Sequence, residues 1–305
     1  MTDKYQPPPR PKKIIKGGVS CSAENMQPHD HNLFQTFPVM WLDFTQHYTT
    51  FASLLKWTDT AQGILFPVKQ VPEIHHMWAG NAVMRSNRVR VLLPHEEYRE
   101  WKQVTVWPHL QHVGTTSWVC GFRITNEAGD KVMAVVETTM VFTDETFTLS
   151  KPIQNHNREH MMQMIDTSKI GLGRPEFSEN DDSTASSIDP WEYSTVVRIT
   201  DCDALNHINN AQYALLAEET RLYSASMGKY GNDPLCNLPA CEISIAYIGQ
   251  AHPFQKMDVV TFSRAEESEN QTTHYRTNFS VGGQIVCKST VTVIKTSHQK
   301  ISPSL

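Results

Sequence analysis

The side chains best suited to chemistry gather in one stretch, RITDCDALNHINNAQYALLAEETR, residues 198–221. Two carboxylates, Asp201 and Asp203, are followed by the imidazole of His207 and the amides of Asn209 and Asn210. Arg198 to Thr200 read as the end of a strand, and the residues after Asn210 read as a helix. Asn is a favoured N-cap. A helix start presents unpaired N–H donors and the positive end of the peptide dipoles. A thioester carbonyl placed there would be polarised, and the oxyanion formed on attack would be stabilised. A nearby carboxylate can attack the carbonyl carbon or activate water. His207 can position that water or share its proton. The competing structural readings are capping for Asp203, a hydrogen-bonded loop role for Asp201 and His207, and core packing for Tyr213.

The elements that must hold this stretch repeat along the chain. Asp43 and His47 are spaced like Asp203 and His207, and each pair leads into a helix-like segment. The first is YTTFASLLKWTDTAQGILF, with Leu54, Leu55 and Trp57 apolar; the second is INNAQYALLAEETRLYSASMG, with Ala214, Leu215, Ala217 and Leu222 at roughly helical spacing. Gly228 is a C-terminal stop. Strand-like runs follow: NRVRVLL, KQVTVWP, TTSWVCGFRI and KVMAVVETTMVF, then ISIAYIGQ, DVVTFSR, THYRTNFSV and QIVCKSTVTVI. Gly129-Asp130 and Gly282-Gly283 join the last pair of each half as hairpin turns. Asp43 to Gly129 spans 86 positions and Asp203 to Gly282 spans 79. Two fused copies of one α+β unit are expected, each with an antiparallel sheet wrapped around a central helix.

The motif Asp201-Cys202-Asp203, His207-Ile208-Asn209-Asn210, Tyr213 resembles that of the hotdog-fold acyl thioesterases, the group containing 4-hydroxybenzoyl-CoA thioesterase and plant acyl-ACP thioesterases. Their signature runs Asp-x-Asp, three residues, His-(Val or Ile)-Asn-Asn, two residues, Tyr. The wider resemblance covers about residues 35–146 and 192–296 and rests there on element order. It implies a tandem double hotdog forming an intramolecular pseudo-dimer. It implies Asp203 as the catalytic carboxylate, His207 as its assistant, and the backbone near Asn209 and Asn210 as the carbonyl site. The plant enzymes carry an Asn where this chain has Leu205, and a Glu or Cys on the next long strand, where Gln250 and Ala251 align. Gln250 can orient a water but cannot act as a base. In the first half Asp43 and His47 match Asp203 and His207, Trp41 replaces the first Asp, and Thr49-Thr50 replaces the Asn pair. His95 and Glu96 align near Gln250. Because some hotdog enzymes use a helix carboxylate, Glu219 and its expected counterpart Asp59 are reserve candidates. The second-half site is favoured, with Asp43, His47, His95, Glu96 and Glu219 secondary.

Composition sets the remaining bounds. The chain has 305 residues, 39% hydrophobic and 19% charged, enough for two cores. The net charge of −5 argues against nucleic-acid binding. Six scattered cysteines without a CxxC pair read as free thiols. His75-His76 and His109 with His112 lack further ligands at metal-site spacing; no metal and no cofactor are expected. MMQMI at 161–165 reads as packing or a linker helix. Trp101, Trp107 and Trp118 read as sheet packing. No apolar run approaches a membrane span, and a cytoplasmic protein is expected. The expected layout is a disordered tail at 1–32, hotdog domains at 33–150 and 191–298, and a linker at 151–190. The partner is an acyl-CoA or acyl-carrier-protein substrate, with a homodimer of the fused chain open. The rival functions are a non-catalytic acyl-binding or scaffolding hotdog protein and a hotdog dehydratase or hydratase.

Overall fold

Alternation along each strand-like run sets one side chain inward and the next outward, and the strands assemble on that rule. The computed structural model describes residues 35–38, 50–66, 72–147, 149–165, 172, 190–203, 205–228, 239–266 and 272–294. The first half contains β1 (Gln35–Pro38), α1 (Phe51–Leu65), α2 (Pro72–Asn81), β2 (Ala82–Val91), the short α3 (His95–Tyr98), β3 (Gln103–Val113), β4 (Ser117–Asn126) and β5 (Val132–Phe142). Next comes α4 (Asn155–Gln163). The second half contains β6 (Trp191–Val196), α5 (Asn210–Ser226), β7 (Glu242–Tyr247), β8 (Lys256–Glu266), β9 (Thr272–Val281) and β10 (Gln284–Ile294).

All strand pairs are antiparallel and form one ten-stranded sheet, ordered β1-β3-β4-β5-β2-β7-β10-β9-β8-β6. Each half therefore has the same internal order, and the halves meet along β2 and β7. Their register runs from Ser86 opposite Ala246 to Arg90 opposite Glu242. Glu242 bridges the seam, accepting from Arg88 Nε at 2.6 Å and Arg90 Nε at 2.7 Å. This is the pair of α+β units expected from the repeat, arranged as the double hotdog that the resemblance implies.

The helices lie against the sheet and against each other. α1 buries Phe51, Leu54, Leu55, Ala61 and Leu65. A fully buried Leu contributes roughly 2 kcal/mol, which explains the absence of charge in its first turn. On the sheet, β4 buries Trp118, Cys120, Phe122 and Ile124, and β9 buries Tyr275 and Phe279, all at alternating positions. At the β9–β10 hairpin Gly282 and Gly283 have φ of 58° and 80°, the left-handed pair that a two-residue type I′ loop requires.

Several expectations change. Of the expected α5 stripe, Ala214 and Ala217 are buried while Leu215 and Leu222 are only partly so; the inward face also includes Ala211, Tyr213, Glu218, Thr220, Arg221 and Ser224. Small residues permit close approach to a neighbouring helix, and the polar ones are held by partners: Arg221 lies over the Tyr275 ring at 5.7 Å. Trp101 follows α3 rather than entering a strand, while Met161 is fully buried on α4. The tail and most of the linker stretch GLGRPEFSENDDSTASSIDP lie outside the described residues. No helix among the described residues is long and apolar enough to cross a membrane.

Candidate active site

The motif folds as a tight loop feeding α5. Asp203 Oδ1 accepts from the Leu205 N–H at 2.8 Å and the His207 N–H at 3.4 Å. The Asp203 N–H donates to His207 O at 2.8 Å. Asn206, between them, takes a left-handed φ of 64°, a conformation Asn tolerates better than most residues. Asp201 is buried and accepts from the Arg198 backbone N–H and, at 2.9 Å, from Arg198 Nη2; its carbonyl accepts from the Asn209 N–H at 2.8 Å. Asp201 is thus the brace of the loop, and Asp203 sets its turn while remaining exposed.

Asn209 is the N-cap of α5, its side-chain oxygen accepting from the Ala211 N–H at 2.8 Å. Asn210 is the first helical residue. In the first half Thr50 caps α1 instead, accepting from the Ser53 N–H at 3.2 Å. Each half accordingly presents a capped helix start, as the two Asn and Thr pairs suggest.

A second loop closes over the motif. The Ile208 N–H donates to Ala251 O at 2.9 Å, and His252 Nδ1 lies 3.0 Å from Asn206 O. The rings of His207 and His252 meet edge to face with centroids 5.5 Å apart. Burial holds the His207 pKa below its ordinary value; Asp203 opposes that shift and His252 adds to it. Gln250 sits exposed in this loop, after β7 has ended, rather than on a long strand. Leu205 is also exposed.

The first half contributes from behind. Asp59, on α1, is only partly exposed, and its carboxyl is pushed up to about 7, first by burial and second by the negative charge of Asp203. Its charge also reaches Tyr247. That tyrosine is the pivot between halves: its hydroxyl accepts from Asn87 Nδ2 at 2.9 Å and donates to Asn210 O at 3.4 Å. Thr138 Oγ1 fixes Asn87 by donating to its side-chain oxygen at 2.7 Å. The negative charge of exposed Asp203, in the loop feeding α5, therefore reaches a raised carboxyl of the other half.

The other candidates separate from this cluster. Glu219 is exposed on α5, and its carboxyl is raised by burial and Asp201 against the lowering effect of Arg198, all in its own half. His95 and Glu96 begin α3, where His95 meets Tyr98 edge to face at 5.3 Å. Asp43, His47, Trp41 and Thr49 lie outside the described residues. Tyr213 is core, packed on Tyr247 and Phe279 with centroids 5.9 and 5.2 Å away.

Sequence reasoning missed His252 and the Asn87–Tyr247 link. It also paired Asp59 with Glu219. Counted from the caps, Asp59 follows Thr50 by nine positions, and Glu218 follows Asn209 by nine. Glu218 is the true counterpart. It is buried, accepts from the Phe51 N–H at the start of α1 at 2.8 Å, and is pushed up to about 8 by burial.

The model of the Thioesterase-like superfamily matches residues 197–303, the second half with its motif. No curated protein matches in sequence. Among solved structures, a Lactobacillus plantarum protein assigned as an oleoyl thioesterase superposes with a TM-score of 0.65 at 13% identity, covering 86% of this chain and 95% of that one. An acyl-ACP thioesterase from Bacteroides thetaiotaomicron gives 0.62 at 14%, covering 85% and 96%. The 12:0-ACP thioesterase from Umbellularia californica gives 0.61 at 14%, covering 86% and 97%. Both halves share the fold of these three structures, and the resemblance read from the motif is borne out by the family model over the second half.

Proposed function

We propose that this chain hydrolyses acyl thioesters to a carboxylic acid and a thiol, at one site formed where α1 meets the start of α5. The observation that carries this reading is the raised carboxyl of Asp59, from the first half, which feels the charge of Asp203 and acts on Tyr247, the residue that donates to Asn210 O at the start of α5. The thioester carbonyl oxygen would lie at the Asn210 N–H, which the helix dipole makes a good partner for developing negative charge. Asp59, with a pKa near neutrality, suits the proton transfers: it takes the proton of the attacking water and later gives it to the departing thiolate. Asp203 would hold the loop and add like-charge repulsion to the burial that keeps Asp59 basic. His207, neutral near pH 7, would orient the water, and His252 would fix its ring. Gln250, on the rim, can serve a second water. This moves the base from Asp203, as the motif implies, to Asp59, because Asp203 is exposed and holds the loop through Oδ1, whereas burial brings Asp59 to about 7.

The substrate class proposed is a fatty acyl thioester of a carrier protein or coenzyme A; two of the structural neighbours carry acyl-ACP or 12:0-ACP in their names. Thiol release from a panel of acyl-CoA and acyl-carrier-protein substrates, short to long in chain length, tests the reading. Hydrolysis of at least one chain length, falling steeply in Asp59→Asn and reduced in Asp203→Asn, is expected. Binding without turnover across the panel would instead establish the acyl-binding alternative.

A further inference from the structure

The two helix starts are equivalent in backbone but not in occupancy. At α1 the first N–H, that of Phe51, is taken by Glu218 Oε2 from α5 at 2.8 Å. Glu218 is 3% exposed, and its other oxygen, Oε1, is buried with no hydrogen-bond partner. This carboxylate stands where a carbonyl oxygen or oxyanion would stand on a helix end. Its counterpart at α5 is Asp59, one methylene shorter, a difference in reach of about 1.5 Å. Among the described residues, the Asn210 N–H meets no acceptor.

We propose that Glu218 is a built-in plug of the α1 helix end, and that the shorter Asp59 leaves the α5 end open for an acyl carbonyl. The chain then has one acyl site rather than two. The choice between them is made by side-chain length at one helical position. This rests on the reading of the α5 end as the carbonyl site. The Glu218 oxygen is held 2.8 Å from the Phe51 N–H by the α5 backbone, so it occupies that donor without the loss of translational freedom that a bound acyl group suffers. An acyl oxygen therefore cannot compete for the Phe51 N–H, while nothing competes for that of Asn210. Arg221 and Glu219 also act on the Glu218 charge, the first favouring ionisation and the second opposing it. The unpartnered Oε1 marks the cost at which the plug is kept.

Amide resonances in ¹⁵N–¹H spectra of the full chain, with kinetics on the same samples, test it. In the natural sequence the Phe51 amide is expected downfield and protected from exchange, and the Asn210 amide unshifted. Glu218→Asp moves the Phe51 amide upfield and leaves kcat/KM unchanged. Asp59→Glu, which keeps a carboxylate but lengthens it, moves the Asn210 amide downfield and raises KM at least about tenfold, the ratio that a loss of about 1.4 kcal/mol in binding gives. Where Glu218→Asp fails to fold, Glu218→Gln keeps a neutral acceptor at the plug. Its Phe51 amide is then expected to stay downfield but lose its movement with pH. An Asn210 amide unmoved in Asp59→Glu, or a Phe51 amide unmoved in Glu218→Asp or still titrating in Glu218→Gln, overturns the plug. Absence of hydrolysis by every form would defeat the hydrolase reading alone, since the amide shifts still decide the plug.

Discussion

Asp59→Asn should make the protein more stable at alkaline pH while disabling it. The carboxyl of Asp59 is raised from 3.8 to about 7. A carboxyl with a raised native pKa favours the folded state while protonated in it. That advantage is complete below the unfolded pKa and is lost as pH rises to the folded one. Every tenfold weakening of the acid on folding corresponds to about 1.4 kcal/mol. By pH 8 the ionised group therefore costs the fold roughly 4 kcal/mol, and at pH 5.5 about half of that. Asparagine never ionises, so its advantage over the natural residue should grow across this interval by about 2 kcal/mol. For a folding unit of this size that widens the gap in Tm by roughly 4 °C or more. Scanning calorimetry of both proteins at pH 5.5 and pH 8 reads it directly. A gap that is equal at the two pH values, or narrower at pH 8, would refute the placement of Asp59 in a buried, repulsive environment. A gain in stability coupled to lost turnover is what a strained functional carboxylate predicts.

Other outcomes follow from the same geometry. Removing the Asp203 charge relieves one of the two effects that raise Asp59, so the acid limb of the pH–rate profile in Asp203→Asn should move to lower pH in whatever activity remains. Asn209→Ala deletes the cap at α5 and should cost about 1 kcal/mol of stability, seen in a denaturant midpoint, together with a raised KM. Leu54→Ala, in the fully buried face of α1, should cost roughly 2–5 kcal/mol without shifting the pH profile. Tyr247→Phe removes the hydroxyl joining Asn87 to Asn210 and should reduce kcat more than it reduces stability.

The strands and both long helices are legible in the sequence because period-two and helical spacing are local properties, as are the paired glycines of the last hairpin. The cap at Asn209 and the loop role of Asp201 are legible for the same reason. What escapes is whatever depends on the halves meeting. Nothing local to Asp59 reveals that Asp203, 144 positions later, will face it. The inward face of α5 defied hydrophobicity because its buried residues include small and polar side chains, Ala211, Ala214, Ala217, Glu218, Arg221 and Ser224, while Leu215 packs on the core only partly buried. Counting from Asp43 and Asp203 misaligned the helices by one residue, since Thr50 follows its Asp by seven positions and Asn209 by six. One residue along a helix is about 100° of rotation, enough to exchange buried Glu218 for exposed Glu219. His252 was invisible because its meaning lies in a loop folded back onto Asn206.

A carboxylate of the first half is held to serve a helix end of the second. Single-turnover hydrolysis by Asp59→Asn, at saturating acyl thioester and neutral pH, tests that most directly. The rate should fall by about 10²–10⁴ with substrate affinity retained. A rate matching that of the natural protein would contradict it.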